Sequence, residues 1–177
     1  MADHLRQLRD DDPIALFRLQ LRNREFLAPW EPQRPESFFS LAGQRAAVTD
    51  SLARHSAGTS FCQVILDDAG QVVGRINLNN IVRGPFQSAS VGYWLSEDAG
   101  GRGLATAAVA EMVEIAFTQL GLHRLEAGTI ASNLRSQAVL ARNQFVQFGY
   151  APSYLQIAGR YQDHLLFQRL AEEQSAA

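Results

Sequence analysis

Residues 91–106 read Val-Gly-Tyr-Trp-Leu-Ser-Glu-Asp-Ala-Gly-Gly-Arg-Gly-Leu-Ala-Thr, an apolar strand, a glycine-rich turn and the opening of a long helix in one stretch. Successive backbone N–H groups at such a turn can converge on one spot, and the helix that starts there adds the positive end of its dipole, so the segment suits a pyrophosphate. A P-loop needs Gly-x-x-x-x-Gly-Lys-Ser/Thr, and all 16 basic residues of this chain are arginine. The same absence of lysine removes Schiff-base chemistry. A dinucleotide fingerprint fails at its third glycine, because Gly101-Arg102-Gly103 runs on into Leu104, Ala105 and Thr106. Cys62 lies in an apolar run with no histidine near it in sequence and reads as a buried strand thiol rather than a nucleophile. His4, His55, His123 and His164 share no metal-ligand spacing.

The elements that must position this turn follow from the periodicity of the chain. Residues 4–9 read as a short first strand. Asp11, Asp12 and Pro13 open a helix with Ile14, Phe17 and Leu21 on one side, which ends before the Pro-rich loop 28–35. A second helix spans residues 36–55 and stops at Ala57-Gly58. Residues 61–66 and 71–82 are strands joined by the turn Asp67-Asp68-Ala69-Gly70, and Gly84-Pro85 precedes a third strand at 90–95. A helix rich in small residues runs over 103–120 and is capped by Gly121. Residues 124–130 alternate as a strand, Ser132 or Asn133 caps a helix to about Arg142, and two strand-like runs around Ala158-Gly159-Arg160 complete an order β-α-α-β-β-β-α-β-α-β-β.

With 177 residues and 46% apolar content the chain supports one domain, taken as residues 1–170 with a fraying tail at 171–177. A net charge of −2 and the absence of a basic run leave no drive toward nucleic acid, so the expected partner is a small molecule or a peptide end. The first residues lack the apolar stretch of a signal peptide and no apolar run approaches 18 residues, so the expectation is a cytoplasmic protein that does not enter a membrane.

The glycine turn resembles the Gln/Arg-x-x-Gly-x-Gly/Ala pyrophosphate loop of the GNAT acyltransferases. The resemblance extends to Phe26-Leu27-Ala28-Pro29-Trp30-Glu31-Pro32, Asn80-Ile81-Val82-Arg83-Gly84, Gly92-Tyr93-Trp94-Leu95, Asn133-x-x-Ser136, Gly149-Tyr150 and Gly159-x-x-x-Asp163-His164. Together these are similar to the RimJ/RimL branch, the ribosomal-protein-alanine N-acetyltransferases and their relatives. Three positions depart from that pattern: Gly100 stands where the loop usually has Gln or Arg, Ser90 where many relatives carry an acid, and Gln144 where the family usually has Gly.

The resemblance implies an α+β GNAT domain with a mixed, mostly antiparallel sheet, splayed at the cofactor site and with helices on both faces. It implies acetyl-CoA as cofactor, held by the backbone of Gly101, Arg102, Gly103, Leu104, Ala105 and Thr106, by the strand edge at Trp94, Leu95 and Ser96, and by Asn133 on the pantetheine arm. An N–H near Trp94 or Leu95 would face the thioester oxygen and stabilise the oxyanion. Glu97 is the candidate general base and Ser136 the group that meets the departing thiolate, with Tyr93, Trp30 and Glu31 lining the acceptor side. Direct attack by an amine requires no protein nucleophile. The implied acceptor is an N-terminal amine of a protein such as a ribosomal protein, because an α-amino group with a pKa of about 7.7 to 8.0 is roughly a third neutral at about pH 7.5, whereas a lysine amine is roughly 0.1% neutral. A small amine such as a polyamine, an antibiotic or an amino-acid derivative is the alternative acceptor, and a non-catalytic acyl-CoA sensor the alternative of another class. Relatives form monomers and homodimers, and the sequence leaves that choice open.

Overall fold

The computed structural model describes residues 4–172. Along the chain these form β1 (Leu5–Gln7), α1 (Pro13–Arg22), the single turn α2 (Arg24–Leu27), a 3₁₀ turn (Glu36–Phe39), α3 (Leu41–Ser56), β2 (Phe61–Leu66), β3 (Val72–Val82) and β4 (Ser88–Leu95). A second 3₁₀ turn (Glu97–Ala99), α4 (Leu104–Glu114) continued by a π-helical turn (Ile115–Gln119), β5 (Arg124–Ile130), α5 (Leu134–Arg142), β6 (Val146–Ile157) and β7 (Arg160–Leu170) follow. The strands build one sheet in the order β1-β2-β3-β4-β5-β7-β6, antiparallel throughout except between β4 and β5. Strand alternation sends Ile76, Leu78, Val91 and Leu125 to one face, where they pack with Val109 and Met112 of α4 and Leu140 of α5. The other face buries Cys62 and Val64 with Leu16 of α1 and Val48 of α3. This is the expected α+β architecture with helices on both faces.

Local chemistry accounts for where the elements depart from the expectation. The helix expected over 36–55 is two pieces, because the Ser40 hydroxyl accepts the Gly43 N–H at 3.0 Å and starts α3 afresh after the 3₁₀ turn. The face assigned to α1 is wrong: Leu16 and Leu19 are buried, while Ile14 and Leu21 are 49% and 52% exposed. The Asp12 carboxylate makes no helix cap. It accepts the Arg9 N–H at 2.7 Å and pairs with Arg6 at 2.7 Å, which fixes the angle at which α1 leaves β1. Asn133 rather than Ser132 caps α5. Gln144 adopts a left-handed φ of 60, the conformation for which glycine is the natural residue. Most of the tail expected at 171–177 lies outside the described residues.

The site is positioned where β4 and β5 part. Their parallel pairing stops at Ser90 opposite Glu126. Beyond that point β4 stays with β3 as far as Leu95, and β5 stays with β7 as far as Ile130. Gly74 holds β3 tightly against β4: a Cβ there would lie 2.4 Å from the Trp94 carbonyl oxygen. A bulge between Asn79 and Val82 adds twist to the same pair. The Ser96 N–H donates to the Val73 carbonyl at 2.8 Å. Alternation then turns the backbone groups of Trp94 toward β3 and those of Val91, Tyr93 and Leu95 into the opening beside β5.

Candidate active site

The glycine turn forms one end of this opening. Gly101 and Gly103 adopt φ of 76 and 80, and the first intrahelical bond of α4 runs from the Ala107 N–H to the Gly103 carbonyl at 3.0 Å. The N–H groups of residues 102–106 therefore have no protein acceptor among the described residues, and they sit at the positive end of the α4 dipole. A Cβ at Gly101 or Gly103 would meet nothing within 4 Å, so it is backbone conformation rather than crowding that favours glycine here. Arg102 donates to the Asp98 carbonyl at 3.0 Å, which closes the turn. Asn143, buried at the end of α5, donates to the Thr106 carbonyl at 3.1 Å and ties α4 to α5. On its other flank the turn borders a cleft of about 320 Å³ with Asp67, Asp68 and Asp98 in its walls.

Across the opening the Tyr93 hydroxyl lies 2.9 Å from the Ser136 hydroxyl, linking β4 to the first turn of α5. Burial pushes the Tyr93 phenol up to about 12, and the bond to Ser136 offsets that only in part, so Tyr93 keeps its proton. The Oδ1 atom of Asn133 accepts the Ser136 N–H at 3.1 Å, an ordinary helix cap, and its Nδ2 makes no bond within the described residues. Trp94 takes the opposite face of the sheet and packs with the cluster around Leu16 and Val48. The two aromatics thus alternate across the sheet, and Tyr93 alone meets Ser136.

Glu97 and Ser96 end β4 on a network that the sequence did not disclose. The Glu97 N–H donates to Asn23 Oδ1 at 2.9 Å, and Asn23 Nδ2 donates to Ser96 Oγ at 3.0 Å. Arg22 reaches Ser96 Oγ at 3.1 Å and the Asp98 carboxylate at 3.1 Å, and Ser96 donates to Asp98 at 2.5 Å, a bond that holds the Asp98 carboxyl below the usual carboxylate range. With its hydroxyl and N–H both engaged, Ser96 positions the turn. The Glu97 side chain stays exposed and makes no bond to another described residue.

At the far end, the loop after α2 and the tip of the β6–β7 hairpin close together, with the Ala158 N–H donating to the Glu31 carbonyl at 3.0 Å. A cleft of about 310 Å³ lies between them, lined by Glu31 but not by Trp30. Burial raises the Glu31 carboxyl above its ordinary range, and Arg34 offsets this only in part. Asp163 accepts the Tyr150 O–H and the Ser153 N–H, the latter at 2.8 Å, and so pins the irregularity in β6. The Cys62 thiol is 2% exposed on the far side of the sheet from Tyr93, and burial raises it away from the reactive thiolate.

The family model for the acetyltransferase (GNAT) domain matches residues 4–146. This chain is a GNAT acetyltransferase. It is 34% identical to the [ribosomal protein uS5]-alanine N-acetyltransferase of Escherichia coli (strain K12), over 92% of this chain and 84% of that one. Among solved structures it resembles ribosomal-protein-S5-alanine acetyltransferase from Vibrio fischeri, with a TM-score of 0.92 and 31% identity over 99% of this chain and 98% of the other. It also resembles Mycobacterium smegmatis RimJ in complex with CoA-disulfide, with a TM-score of 0.92 and 33% identity over 98% of this chain and 84% of the other. The acetyltransferase uses acetyl-CoA, and two features of its own structure fit that molecule: the free N–H groups of residues 102–106 for the pyrophosphate and the unpaired edge of β4 for an amide-bearing arm.

Proposed function

We propose that this acetyltransferase modifies the N-terminal α-amino group of a protein, with a ribosomal protein as the acceptor class. The observation that carries the reading is the arrangement at the C-terminal end of β4, an exposed carboxylate at Glu97 and a Tyr93–Ser136 hydroxyl pair, with no protein nucleophile among them. Relatives that act on the N-terminal alanine of uS5 support it. Acetyl-CoA, when bound, supplies the thioester whose carbonyl carbon the amine attacks. The Leu95 N–H, turned into the opening, is the donor for the carbonyl oxygen as charge develops on it. Glu97 accepts the proton lost by the amine, directly or through one water. The Ser136 hydroxyl, oriented by Tyr93, donates a hydrogen bond to the departing sulfur.

Mass spectrometry of peptides with varied first residues and internal lysines, beside polyamines and aminoglycosides, tests the proposal after incubation with acetyl-CoA. A mass gain of one acetyl group confined to α-amino groups is expected. Turnover of small amines with none on any peptide overturns the protein-acceptor reading, and binding of acetyl-CoA without turnover on any amine overturns catalysis.

A further inference from the structure

The sheet has two edges, and they are unlike. β1 is three residues long, and its Arg6 is paired with Asp12. β6 spans twelve residues, pairs with β7 on one side and meets no strand on the other among the described residues. Most of those twelve are exposed. Residues 143–159 include no charged side chain, so this edge lacks the charges with which proteins commonly blunt an open strand. More than half of the large apolar side chains that stay exposed among the described residues lie on β6 and β7, Val146, Phe148, Tyr150 and Tyr154 among them, each at least 44% exposed. At that exposure each contributes roughly 100 Å², so the hairpin presents on the order of 600 Å² of apolar side chain before its strand edge is counted. A standard protein interface buries about 800 Å² on each partner, and this patch approaches that size.

The chemistry of the edge selects the partner. A two-fold axis through an antiparallel strand pair sets the residues near it against those of an identical strand, so a charge there meets its like. A neutral strand is the composition that tolerates this. Pro152 has no N–H to donate, and the ladder to β7 shifts between Ala151 and Leu155, so the edge open to another strand is residues 146–151. We infer that this segment pairs antiparallel with the same segment of a second copy of the chain, about a two-fold axis between Phe148 and Gly149. The shift between Gln147 and Gly149 then falls on the axis, where both copies bend alike. Phe148 lies opposite Gly149 of the partner subunit, whose bare backbone leaves room for the ring. The two sheets become one, and because each copy has used its only long edge the assembly closes at two. β7 and β5 stand between this edge and β4, so pairing leaves the opening for the cofactor clear.

Sedimentation velocity of the full chain over a dilution series tests the inference, beside the variants Phe148→Lys and Phe148→Glu. The wild type should move from the mass of one chain to that of two as concentration rises. Each variant alone should associate at least about tenfold more weakly, because two like charges then flank the axis. An equimolar mixture of the two should recover the dimer, a result that misfolded variants could not give. Hydrogen exchange on the wild type reads the same contact without substitution, and amides within residues 146–151 should slow at the concentration where the dimer forms. A wild type that stays monomeric throughout, variants that pair as it does, a mixture no more associated than its components, or a dimer with unchanged exchange over 146–151 would each overturn pairing at β6.

Discussion

Tyr93 and Ser136 lie 43 positions apart in the chain and meet at 2.9 Å, so each should report on the other. Ser136→Ala is expected to lower kcat by roughly 10² with the KM for acetyl-CoA unchanged, and Tyr93→Phe by less; the double variant should fall short of the product of the two losses, since both act through one hydroxyl. Rates of the four proteins on one peptide check this. Tyr93 also carries a pH signature. Its ordinary pKa of 10.0 rises to about 12 in the fold, so between those values the folded chain holds a proton that the unfolded chain has lost. Stability from this group is complete below pH 10 and is lost as pH climbs toward 12, and Tyr93→Phe should flatten that part of the unfolding-temperature profile. Glu31 has the same sign at lower pH: its raised carboxyl favours the protonated form in the fold, so stability is lost as pH rises through the elevated value. Glu31→Gln should hold or raise the unfolding temperature near neutral pH, because the amide carries no charge to desolvate, and thermal unfolding of the two proteins at about pH 7 checks this. Tyr93, Glu97, Asn133 and Ser136 stand out in the sequence because their motifs are local. Asn23 was not, because its role depends on a bond to Glu97 across 74 positions, and an asparagine after a helix carries no mark of such a partner.

The elements are set by short-range chemistry where it is strong and by packing where it is not. The Asp67–Gly70 turn was legible because Asp67 Oδ1 accepts the Ala69 and Gln71 N–H groups at 3.0 and 2.8 Å and Gly70 supplies a φ of 74, all within five residues. The face of α1 was misread because Ile14, Phe17 and Leu21 repeat as well as Leu16 and Leu19 do, and only the partners Val48 and Val64 decide between them. Glycine positions supply two tests. Gly103→Val places a branched side chain at φ 80, a strain of about 1 to 2 kcal/mol, and puts a Cβ where the backbone must approach a phosphate. The variant should fold with an unfolding temperature lower by roughly 2–8 °C, yet bind acetyl-CoA at least about tenfold more weakly by calorimetry. Gln144 poses the reverse case, a side chain held at φ 60 between α5 and β6. Gln144→Gly should stabilise by about 0.5–1 kcal/mol, relief of left-handed strain exceeding the entropy that glycine adds to the unfolded chain, and the unfolding temperature should rise by about 1–4 °C.

At the scale of the molecule, one sheet is left open where β4 leaves β5, and the chain's own strands cannot close it. Val91, Tyr93 and Leu95 turn backbone groups into the opening, while the N–H groups of residues 102–106 stand at its end with no acceptor among the described residues. Binding of acetyl-CoA should therefore complete the sheet, and its effect should follow the pattern of unpaired groups. At about 100 times its dissociation constant a ligand specific to the folded state adds about 2.7 kcal/mol, which for a chain of this size raises the unfolding temperature by roughly 5–10 °C. Hydrogen exchange places that gain residue by residue. The Tyr93 and Leu95 amides and those of residues 102–106 should slow markedly with acetyl-CoA, whereas the Ser96 amide, already bonded to the Val73 carbonyl at 2.8 Å, should change little. Protection spread evenly over the sheet, or confined to the cleft at Asp67 and Asp68, would mean that the opening is not where the cofactor lies. A sharp contrast between Leu95 and Ser96, neighbours in sequence on opposite edges of β4, would show that the ligand takes the place of the missing strand.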